Sequence, residues 1–349
     1  MNMSESISMQ QAIAKLVSSN DLTRAEAQSV MTKIMNGEAT SAQIGAVAIA
    51  LRMKGETKEE ITGLAEVMRS FSNHVDSHQS GLLDTCGTGG SGISKFNIST
   101  ASSLIAAAAG ITVAKHGNRA MSGKSGSADV LEALGVNINV TPEQAKTCLD
   151  EVGICFMFAQ LYHPSLKHAA GPRKEIGTRT IFNMLGPLTN PAGADRQLLG
   201  LYDASKTEVI AEVLRELGIT RALVVSSFDG LDEISISSAT KVSELKDGIV
   251  TTYHISPEQL GLVTRPLSDV LGGEPAQNAQ IIREIFDGTR LDGYRDIVLA
   301  NAGACIYLGG LSNTHVEGVK IAAEIIDSGK AAMKLDQLIQ KTGELNYVS

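Results

Sequence analysis

Tryptophan is absent from this 349-residue chain, and aromatic residues together make up 4% of it. A surface that stacks unpaired bases needs exposed aromatics, so the composition argues against that form of nucleic-acid recognition. The formal charge of −8 argues the same way, because phosphate backbones are held by clustered Lys and Arg. The four cysteines, Cys86, Cys148, Cys155 and Cys305, have neither metal-ligand spacing nor a disulfide framework, which suits a reducing compartment. Cys86 reads as a small residue ending a strand, since no partner His is identifiable near it. The apolar run from Leu104 to Ala114 is broken by Gly110 and Thr112 and falls short of the ~20 residues that span a bilayer. The opening residues show no basic region followed by an apolar core, so a cytoplasmic protein without a membrane partner is expected.

The most informative absence is local. From Thr85 through Ala128 there is no Asp or Glu, where the overall acid content would place roughly five. The same stretch carries Lys95, Lys115, His116, Arg119 and Lys124. An acidic chain that clears negative charge from one region and lines it with donors is suited to a small polyanion.

What is present follows two grammars. The first seventy residues read as helices whose starts are marked by three capping boxes, Thr23 with Glu26, Thr40 with Gln43 and Thr57 with Glu60. Ile61, Leu64, Ala65 and Met68 then give one apolar helical face. A polar segment from Ser72 to Gly81 is the candidate hinge. From Leu82 onward strands, loops and helices alternate, with strands over Ile111–Ala114 and Ala222–Ser226 and helices over Ser99–Ala109, Ser127–Leu134 and Glu208–Leu217. The tail from Gln277 is mainly helical. This is α/β grammar on a largely parallel sheet, preceded by a helical unit.

Four segments carry chemistry. Gly87, Gly89 and Gly92 satisfy G-x-G-x-x-G at a strand-to-helix turn, but the dinucleotide reading needs an acid about twenty residues on, and the region has none. A P-loop also fails, because Ile93-Ser94 follows where Lys-Ser or Lys-Thr is required. A generic anion loop survives, with Asn97, Ser99 and Thr100 as clustered donors at the next helix start. A second loop, Lys115 to Ser127, follows the next strand and should line the same crevice. There Lys115 and Arg119 would offset phosphate charge, and Ser127 would cap the following helix. Third, Asp232-Glu233 at a strand end suit either magnesium or a plain Asp-Gly turn with exposed acids. The fourth segment runs from His163 to Pro191, with Pro164 and Pro172 as helix-start residues and Arg173 as a planar fork for a carboxylate.

With these elements in this order, the chain resembles the anthranilate phosphoribosyltransferases over essentially its whole length. The carrying residues are Gly87-Thr88-Gly89-Gly90, Asn97-Ile98-Ser99-Thr100, Lys115-His116-Gly117-Asn118-Arg119, Asp232-Glu233 and the run from Arg173 through Asn190. The resemblance implies a small helical N-terminal domain over 1–75, joined by helices from about 160–185, and a larger α/β domain over 80–349 of the nucleoside phosphorylase-like phosphoribosyltransferase fold. It implies a homodimer, magnesium as cofactor at two ions per subunit, and the substrates anthranilate and 5-phosphoribosyl 1-pyrophosphate. On this sequence the diphosphate donor would be held by Gly87, Gly90, Ser91, Lys95, Asn97, Ile98, Ser99, Thr100, the loop Lys115, His116, Gly117, Asn118, Arg119, Ala120, Met121, Ser122 and Gly123, and by Ser127. Gly87, Asn118 and Arg173 would contact anthranilate, and Ser99, Asp232 and Glu233 would serve the metal. No residue is implied as catalytic nucleophile or general base.

The chain departs from the usual family pattern at Ser91, where Asp is common, at Lys95, where a small residue is common, and at Gly171-Pro172 before Arg173. Two other readings are set aside. A pyrimidine nucleoside phosphorylase would carry a further C-terminal domain, and a nucleic-acid-binding relative would need a basic face. Ser91 and Lys95 make the glycine loop less negative and are expected to change its magnesium dependence. Ser91→Asp should therefore alter the rate at low magnesium, and an unchanged rate at every concentration would contradict this.

Overall fold

The computed structural model describes residues 7–77, 79–89, 92–120 and 123–345. Four helices open the chain: α1 (Met9–Val17), α2 (Arg24–Met35), α3 (Ser41–Lys54) and α4 (Lys58–Ser70). The three capping boxes read from the sequence are formed, and Ser8 with Gln11 makes a fourth. Each box satisfies backbone donors that a helix start would otherwise leave open. Glu60 does more than cap. It is fully buried, and its carboxylate also accepts from the Leu22 amide and from Lys54 Nζ, which ties the α3–α4 turn to the start of α2.

The α/β part follows the order β1 (Leu83–Gly87), α5 (Ile98–Ala108), β2 (Val113–Gly117), α6 (Ser127–Leu134), α7 (Pro142–Glu151) and β3 (Ile154–Phe158). Next come α8 (Ala159–Tyr162), α9 (Lys167–Ile176), α10 (Ile181–Leu185), β4 (Arg196–Gly200), α11 (Thr207–Glu216) and β5 (Arg221–Ser227). A hairpin of β6 (Thr240–Lys246) and β7 (Ile249–Ile255) precedes α12 (Pro275–Phe286), α13 (Gly293–Leu308), α14 (His315–Asp327) and α15 (Lys330–Glu344). The seven-stranded sheet has the order β3-β2-β1-β4-β5-β6-β7, parallel from β3 to β5 and antiparallel through β6 and β7.

Strand alternation divides the core between the two faces. Leu198, Leu223 and Val225 join a cluster with α5, α12, α13, α14 and α15. Leu199, Ala222 and Val224 join α11, the four N-terminal helices, α9 and α10 on the other side. Sheet order places β1 and β4 side by side at the centre, so the chain reverses direction of travel there. Crevices in open α/β sheets form at the carboxyl ends of such strands.

Two local expectations are corrected. Pro172 sits inside α9, not at its start, so the helix tolerates one missing N–H in its interior. Ser127 does not cap α6: Gly126 is the N-cap, and the Asp129 carboxylate accepts from the amides of Gly126 and Ala120. The hinge candidate has no regular structure among its described residues, and backbone bonds tie it to the neighbouring segments. Asn73 donates its amide to the Tyr162 carbonyl, Val75 donates to Pro191, and Val75 is buried. His78 lies outside the described residues.

Close packing of α2 on α4 depends on Gly63, where an added Cβ would lie 2.4 Å from the Arg24 carbonyl oxygen. Gly63→Ala should lower the unfolding free energy by roughly 1–3 kcal/mol. Gly171→Ala, in α9 with no atom within 4 Å of its added Cβ, should be neutral or stabilising by about 1 kcal/mol. Urea denaturation of the two variants checks the contrast.

Candidate active site

A cavity of about 350 Å³ opens at the carboxyl ends of β1, β2 and β3 and against the loop after β5. Both glycine-rich loops line it, together with the acid pair after β5 and side chains from α9 and α10. The sequence places it there through short connections: β1 ends at Gly87, and α5 begins at Ile98, with Asn97, Ile98 and Ser99 lining the crevice. A helix N-terminus gathers partial positive charge and unpaired donors, which favours an anion.

The acid pair owes its position to glycines. A Cβ on Gly87 would lie 2.7 Å from Asp232 Oδ2, and one on Gly200 would lie 1.9 Å from the Asp232 carbonyl oxygen. Only residues without side chains let the 229–236 loop dock onto the ends of β1 and β4. Asp229 organises that loop, accepting hydrogen bonds from Ser227, Ser235 and Ser237 and from the Leu231 amide. Asn301 of α13 pins it from below by bonding both the amide and the carbonyl of Ile234.

Asp232 and Glu233 are almost fully buried, and both contact Lys95 Nζ at 2.8 Å. Gly89 donates its amide to Asp232 Oδ2 at 3.1 Å, so the carboxylate holds the glycine loop from two points. Asp232 Oδ1 has the Lys95 ammonium as its partner and no second donor among the described residues. Burial works against the Asp232 charge, yet the ammonium outweighs it and holds the carboxyl below its ordinary range. Burial pushes Glu233 upward, with Asp232 adding to the effect and Lys95 only partly opposing it. Two adjacent buried carboxylates whose shared partner is one lysine ammonium fit a hard divalent cation that completes its shell with hydroxyl, water and phosphate. Ser99 lines the same cavity and supplies such a hydroxyl. Among the described residues no group of three or more His, Cys, Asp or Glu gathers to cage a metal without a substrate's help.

The remaining candidates divide. Gly87, Lys95, Asn97, Ile98, Ser99, His116, Gly117, Asn118, Arg119, Ala120, Gly123, Ser127, Arg173, Asp232 and Glu233 all line the cavity. Gly90, Ser91, Met121 and Ser122 lie outside the described residues. Lys115 and Thr100 are buried and do not line the cavity. Lys115 is 2% exposed behind the wall and donates to the Thr85 carbonyl at 2.5 Å and to Ser99 Oγ at 3.4 Å. Thr100 is fully buried on the inner face of α5. Arg119 reaches the cavity rim, but its guanidinium is engaged by Asp129 and Glu132, acids just beyond the acid-free stretch. Asn97 joins the loops: its side chain donates to the Ser125 carbonyl and accepts from Ser125 Oγ and Asn278.

Sequence reasoning missed most of the second wall. Met68, Leu166, Phe182 and Pro187 present apolar surface opposite the loops, with His163, Arg179 and Asn183 among them. Arg173 lies 5.5 Å over the Phe182 ring and makes no ion pair among the described residues, and burial lowers its pKa. A cation held over an apolar wall without an acid is prepared for a ligand carboxylate. His116 and His163 pack in a tilted pair, 5.1 Å between ring centroids and 57° between planes. Burial lowers them to about 3 and about 4 respectively, so both are neutral at pH 7.

Comparison with known proteins agrees with this arrangement. The Glycosyl transferase family a/b domain matches residues 79–332, and the Glycosyl transferase family helical bundle domain matches residues 10–72. The class is therefore a two-part glycosyltransferase. Anthranilate phosphoribosyltransferase of Acetivibrio thermocellus is 51% identical over 96% of this chain and 96% of its own, and that of Alkaliphilus metalliredigens is 52% identical over 97% and 99%. The crystal structure of anthranilate phosphoribosyltransferase from Thermus thermophilus is 40% identical, covers 95% of this chain and 99% of that one, and superposes with a TM-score of 0.90. The Saccharomyces cerevisiae enzyme in complex with PRPP and Mg is 25% identical, covers 96% and 98%, and has a TM-score of 0.89. The chain belongs to the anthranilate phosphoribosyltransferase family.

The histidine pair carries a sign that can be checked. Its folded pKa values lie below the ordinary 6.5, so the unfolded chain binds more protons and stability falls as pH drops from about 6.5 toward 4. Each histidine contributes up to roughly 1.4 kcal/mol per pH unit in that window. Urea midpoints at pH 7, 6 and 5 should fall in the native protein and fall less steeply in a His116→Gln, His163→Gln double variant.

Proposed function

We infer that the cavity transfers the phosphoribosyl group of 5-phosphoribosyl 1-pyrophosphate to the amine of anthranilate, giving N-(5-phosphoribosyl)anthranilate and pyrophosphate. This is the second step from chorismate toward tryptophan. The observation that carries the reading is the convergence of two acid-free glycine loops, a buried acid pair and an unpaired arginine on one cavity. An amphiphilic acceptor with a carboxylate and a polyanionic donor need opposite walls of this kind.

The chemistry asks for charge stabilisation and positioning. The C1–oxygen bond to pyrophosphate breaks while C1–nitrogen forms, and the proton released by the amine after attack passes to the departing pyrophosphate or to solvent. Amides of the first turn of α5, those of Ser99 and Thr100, would face the departing diphosphate and stabilise its growing charge. Magnesium, when bound by Asp232, Glu233 and the Ser99 hydroxyl, adds positive charge at the leaving oxygens. Arylamines attack in their neutral form, so the protein's task on the acceptor side is orientation. Arg173 would fork onto the anthranilate carboxylate, Asn118 and Gly87 would flank the ring, and Phe182, Leu166 and Pro187 would exclude water from it. The donor would rest on Gly87, Gly90, Ser91, Asn97, Ile98 and the loop from His116 to Gly123, with Ser127 behind. Neither a nucleophile nor a general base is required from the protein.

Further parts of the reading rest on the resemblance. They are two magnesium ions per subunit, a division into a helical unit ending near residue 75 and an α/β unit from residue 80, cytoplasmic residence and a homodimer. The exposed side chains of Val17 on α1 and Met53 on α3 are apolar surface that a contact through the helical part would cover. No helix among the described residues is long and apolar enough to cross a membrane.

Anthranilate fluorescence should decay when protein, magnesium and 5-phosphoribosyl 1-pyrophosphate are combined and stay constant if any one is omitted. Asp232→Ala and Glu233→Ala should cut kcat by at least a hundredfold, in line with loss of a charge-stabilising group. Arg173→Ala should raise the anthranilate KM about tenfold or more with a smaller change in kcat. An unchanged KM in that variant would remove Arg173 from the acceptor site.

A further inference from the structure

Lys95 is the one cation in direct contact with the acid pair among the described residues. Its Nζ lies 2.8 Å from Asp232 Oδ1 and 2.8 Å from Glu233 Oε1, and 3.4 Å from the Asp232 carbonyl oxygen. These are the oxygens a hard divalent cation would take. Magnesium sits about 2.1 Å from its oxygen ligands. An ion on the same oxygens would stand beside the ammonium with no anion between the two charges. The two cations therefore compete for one pair of carboxylates.

The backbone at Lys95 cannot yield. It bridges Leu271, Gly272 donates its amide to the Ser94 carbonyl at 2.8 Å, Phe96 donates to Val270 at 3.3 Å, and the Phe96 side chain is buried. Only the four-carbon stem can swing. Because Lys95 also lines the cavity, the ammonium can turn from the carboxylates toward the space assigned to the diphosphate.

We propose that Lys95 is an internal counter-ion of Asp232 and Glu233, which a divalent cation displaces on binding and which then faces the diphosphate. The inference rests on the reading of Asp232 and Glu233 as metal ligands. It has two consequences. Metal binds weakly to the protein alone, because it must replace an ion pair. Metal and diphosphate bind cooperatively, because the polyanion receives the displaced ammonium.

Mn²⁺ binding, followed by electron paramagnetic resonance of the free ion without substrate, tests this on native protein, Lys95→Met, Lys95→Arg and Asp232→Asn. Lys95→Met should bind Mn²⁺ at least tenfold more tightly than native protein, Lys95→Arg should stay within threefold of native, and Asp232→Asn should lose the site. Equal affinity in native protein and Lys95→Met, with loss in Asp232→Asn, would overturn the role of Lys95 and leave the metal reading standing. Failure of Lys95→Met to bind Mn²⁺ at all would overturn both. Should Lys95→Met not fold by circular dichroism, acetylation of Lys95 in native protein gives the same answer. Saturating Mg²⁺ should speed its labelling severalfold, and an unchanged rate would refute displacement.

Discussion

The docking of the 229–236 loop onto the carboxyl ends of β1 and β4 is the constraint on which the site depends. Gly87 and Gly200 are adjacent in register across those strands, and neither position can carry a Cβ without striking Asp232. The loop that arrives there brings two carboxylates into a region otherwise cleared of negative charge. Burying two acids side by side is unfavourable unless a cation offsets them. Lys95 supplies that charge from the opposite end of the glycine loop, and Gly89 adds an amide. One ion-pair cluster thereby fixes the acid pair and closes the glycine loop against the sheet.

The rest of the molecule supports that cluster from both sides. On one face, α13 sends Asn301 into the acid loop and α12 sends Asn278 to Asn97, so both functional loops are bound to buried helices. On the other face the N-terminal helices with α9 and α10 form the apolar wall that carries Arg173 and Phe182. The cavity lies where the two halves meet, with charge on the sheet side and hydrocarbon on the helical side. That division matches a reaction between a polyanion and an aromatic acid.

Features written in contiguous residues were legible in the sequence. The capping boxes at Thr23, Thr40 and Thr57 and the helix over Ser127–Leu134 depend on local hydrogen bonds and spacing, and they formed with the bounds their patterns indicate. The glycine loop and the acid-free stretch were visible for the same reason. The β6–β7 hairpin went unread although Asp247-Gly248, both at positive φ, is a strong two-residue turn signal between alternating segments. Contacts between distant segments left less trace. Nothing within residues 115–119 says that Lys115 points behind Ser99 or that Arg119 will meet Asp129 and Glu132. Lys95 read as a phosphate donor, and its carboxylate partners lie more than a hundred residues away. The serine-rich flank of the acid loop held a signal that could have been used, because three hydroxyls converge on Asp229.

A crystal structure of the protein with Mn²⁺ and 5-phosphoribosyl 1-pyrophosphate would test the central role of this cluster most directly. Anomalous density should fall on Asp232 and Glu233, with the diphosphate on the Gly87–Gly89 turn and Lys95 turned from the acids toward its oxygens. Anomalous density away from both carboxylates, or Lys95 still bridging them beside a bound donor, would contradict it.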